Sequence, residues 1–172
     1  MTKKLLLAGT LFCLIFLLSA CGYLGRKTQE KAAEKAAEKV IEGASGGKAD
    51  VDINKENVNI NTDQGSMQTG EDVQIPLDFP KDVYVFEGKI KSAIKSNENN
   101  GYTLSIETDK PANEIKAAYE EKLKAEGWKI TGSMDLGGAV SIVSEKDKRT
   151  ASVMISTGDN LTTIILGVSD MK

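Results

Sequence analysis

The stretch GYTLSIETDKPANEIKAAYEEKLKAEGWKI, residues 101–130, changes its hydrophobic period midway. Tyr102, Leu104 and Ile106 alternate with polar residues, the period of a strand with one buried face. Beyond Pro111 the large apolar residues are Ile115, Tyr119 and Leu123, four apart, with Ala112 and Ala118 beside them, which is one stripe of an amphipathic helix. Asp109 is the candidate N-cap, Pro111 suits the first turn, and Gly127 ends the helix. Trp128, directly after that glycine, is placed to fold back on the last turn. A helix apolar on one stripe must cover the apolar face of a sheet, which gives an α+β architecture.

Working outward, a strand predicted over 89–96 and an Asn-rich turn make a hairpin with the strand at 102–108. Downstream, strands are predicted near 129–134, 139–145, 150–156 and 161–168, separated by Gly137-Gly138, by the basic turn Lys146 to Arg149, and by Gly158-Asp159-Asn160. Residues 71–172 are therefore read as a two-layer α+β domain, one helix packed on an antiparallel sheet in the order β-β-α-β-β-β. Its lead-in, Pro76-Leu77-Asp78-Phe79-Pro80, fits neither a helix interior nor a central strand and is expected to be extended.

Residues 48–70 pair Val51 with Ile53 and Val58 with Ile60 at the strand period, around turns at 54–57 and 63–65. They predict a small three-strand meander with Met67 completing its apolar face, and so small a sheet needs something to rest on. Asp50, Asp52, Asn54 and Glu56 superficially match the first half of an EF-hand loop, but Lys55 stands where that loop needs glycine and Asn61 where it needs glutamate. A solvated strand face is the better reading, and no metal is expected.

Before the meander, EKAAEKAAEKVIE at 30–42 repeats every four residues with strong helix formers, and 43–47 is glycine-rich. Its alanines offer little docking surface except near Val40 and Ile41, so residues 21–47 read as an anchor, a helical spacer and a hinge.

The first twenty residues have the form of a secretory signal peptide: Lys3 and Lys4, an apolar run from Leu5 to Leu18, then Ser19 and Ala20. That run would be about 21 Å long as a helix, short of the ~30 Å hydrocarbon core. Leu18-Ser19-Ala20-Cys21 resembles the lipobox of bacterial lipoproteins. The resemblance implies cleavage between Ala20 and Cys21 and acyl chains on Cys21, which hold the protein at the membrane. The expected location is the extracytoplasmic face of the cell membrane, with the periplasmic face of an outer membrane as the alternative.

PLDFPKDVYVFEGKI and the following helix segment DKPANEIKAAYEEKLKAEGW resemble a group of bacterial envelope lipoproteins. The shared motifs are structural, so the resemblance implies no catalytic residues. At fold level the chain also resembles helix-on-sheet domains of envelope assembly lipoproteins, which is analogy only.

Composition narrows the chemistry. The chain has no histidine and two cysteines, one of them inside the signal segment, which excludes His-dependent triads, disulfide frameworks and the usual zinc sites. Net charge is −3 with no basic cluster beyond the lead sequence, so no nucleic-acid footprint is present. No nucleophile elbow, P-loop or dinucleotide fingerprint occurs. The expectation is a non-enzymatic, cofactor-free, lipid-anchored module that binds an envelope protein. The alternative is a small apolar or lipidic ligand held between helix and sheet by Ile115, Tyr119, Leu123 and Trp128.

Overall fold

Nine antiparallel strands among the described residues join edge to edge into one sheet. The computed structural model describes residues 35–36, 38–39, 43, 49–54, 56–135, 137–158 and 160–171. The signal segment and Cys21 lie outside the described residues, as does most of the charged repeat. The strands are β1 (Ala49–Asn54), β2 (Asn57–Thr62), β3 (Gly65–Gly70), β4 (Lys89–Ser96), β5 (Gly101–Thr108), β6 (Lys129–Asp135), β7 (Ala139–Lys146), β8 (Arg149–Thr157) and β9 (Thr162–Asp170). One helix, α1 (Ala112–Ala125), separates β5 from β6. The spatial order is β1-β2-β3-β4-β5-β9-β8-β7-β6.

This corrects the expected two-layer β-β-α-β-β-β domain with a separate meander. The meander is not a satellite: β3 pairs with β4 along Gly65↔Ser96 to Thr69↔Ser92, so the same sheet runs through both regions. The fourth strand segment predicted after the helix, left out of that order, joins the same sheet as β9 and returns to lie beside β5. Alternation reveals which face of a strand is buried but not which backbone edges will pair, so the sequence pattern left that junction open.

The apolar residues change sides of the sheet along its width. Register puts Leu104, Leu166, Val153 and Ile142 in one row on the face toward α1, each of them almost fully buried. Ala93 of β4 continues that row, and its partner in β3 is the polar Gln68. Across β1 to β3 the apolar Val51, Ile60 and Met67 therefore point to the opposite face, in line with Ile94. Two apolar faces on opposite sides of one sheet are the reason the pattern reads as two units.

The helix covers only part of the main core, contacting β6, β7 and β8. A strap formed by residues 71–88 covers the rest, burying Val73, Phe79, Val83 and Phe86. Two turns shape it, closed by Phe79 N–H to Pro76 O at 2.9 Å and Val83 N–H to Pro80 O at 3.2 Å. The closing residue of each turn is the one that drops into the core. Phe79 meets Tyr102 edge to face at 5.5 Å, and Phe86 stacks on Tyr119 at 6.3 Å.

At its N-terminus α1 starts later than the Asp109 cap predicts. Pro111 is the capping residue, its carbonyl accepting from the Glu114 and Ile115 amides, with no side-chain cap. The C-terminus follows the expected glycine. Gly127 sits at φ 85°, its amide bonds to Lys124 O, and the Trp128 amide reaches back to Leu123 O at 2.9 Å. These are the two bonds of a Schellman ending, which satisfies the last carbonyls and turns the indole onto the helix. In the N-terminal repeat Lys35, Ala36, Glu38, Lys39 and Gly43 are helical. Asp50 and Asp52 face solvent from one side of β1.

Candidate functional site

The four residues expected to wall a ligand crevice are core instead. Ile115, Tyr119 and Leu123 are completely buried and Trp128 is 2% exposed. By itself α1 leaves part of the sheet's apolar face uncovered. The strap fills that space: Tyr84 lies 5.4 Å from Tyr119 edge to face, and the Phe86 amide donates to the Tyr119 hydroxyl at 3.4 Å. Burial pushes the Tyr119 phenol pKa well up, so it stays a neutral hydrogen-bonding group.

Side chains that read separately in the sequence meet at Asp82. Arg149 grips its carboxylate in two bonds, Nη1 to Oδ1 at 3.0 Å and Nη2 to Oδ2 at 2.7 Å. Lys146 Nζ adds a bond to Oδ2 at 2.7 Å and another to Glu126 O. Trp128 donates Nε1–H to Asp82 O at 2.7 Å, while the Arg149 guanidinium lies 5.0 Å over the indole. The strap, the end of α1 and the β7–β8 turn are thus clasped at one point. The Arg149 and Lys146 hydrogen bonds hold the Asp82 carboxyl far below the usual carboxylate range, partly opposed by burial. Asp82 and the Lys146–Arg149 turn, far apart in the sequence, are one ion-pair network. Every member has a partner within it, which makes it a fastener rather than a site.

The opening lies on the other side of the strap. Between its first turn and the exposed polar faces of β3 and β4 runs a groove of about 530 Å³. Ile75, Pro76 and Leu77 form its apolar wall, Ala93 is at its base, and Ser66, Gln68 and Gln74 supply hydrogen-bonding groups. Leu77 sits at the tip of the Pro76–Phe79 turn with its side chain entirely exposed, and Ile75 is 38% exposed. Asp78 pairs with Lys95 at one end of the groove, which lowers the carboxyl pKa and raises that of the ammonium. A second cleft of about 320 Å³ lies on the opposite face near Gly167, lined by hydroxyls such as Thr103, Thr150 and Ser152. The signal for the groove was present in the sequence, since a leucine between two prolines cannot be buried by helix or sheet periodicity.

Among the described residues no group of three or more His, Cys, Asp or Glu side chains is placed to hold a metal ion. None of the described helices is long and apolar enough to cross a membrane.

A family model described as START domain-like matches residues 90–162, from β4 to the first residue of β9. No curated protein and no solved structure matches the chain. The likeness covers the hairpin, the helix and the strands after it, leaving out β1 to β3 and the strap. It is consistent with a ligand-binding domain and assigns no residue a role.

Proposed function

We propose that the protein is a non-enzymatic, lipid-anchored envelope protein whose strap groove binds a small amphiphile. Its apolar part lies against Ile75, Pro76 and Leu77, and its polar end meets Gln68, Gln74 and the Asp78–Lys95 pair. The observation that carries this reading is the groove itself: concave, open, walled by exposed apolar side chains and edged by a few polar groups. The START-like match over residues 90–162 supports it at fold level, since that fold is associated with lipid binding. Cys21 supplies the anchor, through the lipobox resemblance, and keeps the groove beside a membrane that is a source of amphiphiles. No catalytic role is assigned; the ionisable groups beside the groove, Asp78 and Lys95, are paired with each other.

Titration of the purified protein with a fluorescent fatty acid tests the groove. Saturable binding to the wild type that weakens at least tenfold in Ser66→Trp, whose indole would occupy the groove, supports the proposal. Equal binding by both proteins would rule it out.

A protein partner is favoured by one specific feature, the fully exposed Leu77 on a turn braced by two prolines. Such a rigid knob suits a pocket on another protein. Capture of a partner from intact cells by wild type but not by Leu77→Asp, with fatty-acid binding unchanged, would select that reading.

A further inference from the structure

The second apolar face of the sheet, formed by Val51, Ile53, Val58, Ile60 and Met67, has no described element lying over it. Exposure along it is graded: Val51 in the edge strand is only 5% exposed, Val58 and Ile60 are half-buried, and Met67 and Ile94 are exposed at 36% and 39%. An uncovered face would leave its edge strand the most exposed, so the cover comes from the β1 side. One contact shows from where. Glu38, in the helical stretch before the meander, accepts a hydrogen bond through Oε1 from the Ile53 amide at 2.9 Å. That amide points away from β2, toward the edge of β1, beside which no described strand lies.

Helix geometry identifies the surface that does the covering. At 100° per residue the exposed Lys35, Ala36, Lys39 and Gly43 share an arc of about 100°, and the half-buried Glu38 borders it. The sequence puts Ala33, Ala37, Val40 and Ile41 together on the other side of Glu38. We infer that the segment carrying Glu38 docks through Val40 and Ile41 on the apolar face of β1 to β3, with Glu38 capping the open edge of β1. The segment is then part of the fold rather than a rod that holds the domain off the membrane. Docking there also closes a sheet edge that would otherwise be a template for pairing with other chains.

Hydrogen exchange on the full-length protein tests this, with Val40→Asp/Ile41→Asp and the milder Ile41→Ala compared with wild type. The expected result is exchange in Val51–Asn54 at least tenfold faster in the double variant and about threefold faster in Ile41→Ala, with β5 and β9 unchanged. Unchanged exchange in β1, or acceleration spread evenly over all strands in Ile41→Ala, would overturn the inference.

Discussion

The Asp82 carboxylate and the Arg149 guanidinium, 67 positions apart in the chain, lie side by side in a two-bond ion pair of 3.0 and 2.7 Å. Their side chains are each 24% exposed, so the pair is partly shielded from water, and Lys146 and Trp128 complete it. This is where the irregular strap is locked to the regular part of the fold.

Asp82→Asn keeps the shape and removes the charge. At pH 7 it is expected to lower the unfolding free energy by about 2 kcal/mol, because Arg149 and Lys146 lose their charged partner in a half-buried place. The folded carboxyl titrates well below the ordinary 3.8, so the unfolded chain takes up the proton first as pH falls. The pair's contribution is thus complete above the unfolded pKa and is lost as pH drops through about 4 and below. Urea titrations of wild type and variant should converge over that range. A gap that stays constant down to pH 2 would contradict the assignment.

The turn that carries the clasp is strained. Asp147 and Lys148 both have positive φ, 50° and 62°, in the two-residue loop between the paired Lys146 and Arg149. This is the geometry of a primed hairpin turn, in which glycine is favoured at the second position. Lys148→Gly should raise the midpoint of thermal unfolding, with a gain of roughly 0.5–1 kcal/mol after the extra entropy of glycine in the unfolded chain. A lower midpoint would show that the Lys148 side chain contributes something the backbone geometry does not reveal.

Continuity of the sheet depends on Gly65. It sits at φ 153°, and a Cβ there would fall 1.9 Å from the Lys95 carbonyl oxygen, a backbone atom that cannot swing aside. Gly65→Ala is expected to break the β3–β4 junction at its end, costing roughly 2–4 kcal/mol. Hydrogen exchange should speed up in β3 and β4 and remain slow in β8 and β9. A variant with wild-type exchange in β3 would mean that the junction is not held as described.

The Tyr119 hydroxyl is buried against the strap, where it accepts from the Phe86 amide. Tyr119→Phe leaves that amide without its acceptor and should destabilise the protein by about 1–2 kcal/mol, measured by urea unfolding, without affecting fatty-acid binding. Loss of binding in this variant would return the ligand to the space between helix and sheet.

How far the sequence could be read follows from which interactions are local. Period and turn signals placed the six strand segments from 89 onward to within two residues, and Gly127 with Trp128 marked the helix end, because both are written in neighbouring residues. Pairing of Met67 with Ile94 depends on two backbone edges meeting, and nothing in either strand's pattern specifies that partner. The strap was the larger miss. Its buried residues, Val73, Phe79, Val83 and Phe86, have neither helix nor strand spacing, so periodicity could not assign them to the core. Because they fill the space beside α1, the expected crevice at Ile115, Tyr119, Leu123 and Trp128 is closed. The opening moves to Ile75, Pro76 and Leu77 on the outer side of the strap. The clasp was hidden for the same reason: Asp82 and Arg149 are each unremarkable in their own stretch of chain.

Native mass spectrometry of the protein released gently from membranes tests the central claim most directly. The wild type is predicted to carry a non-covalent adduct of amphiphile mass, separate from any acyl modification at Cys21, and Ser66→Trp is predicted to lack it while unfolding at the same urea concentration. A wild type that emerges without adduct, or an adduct retained unchanged in Ser66→Trp, would contradict the strap groove as a binding site.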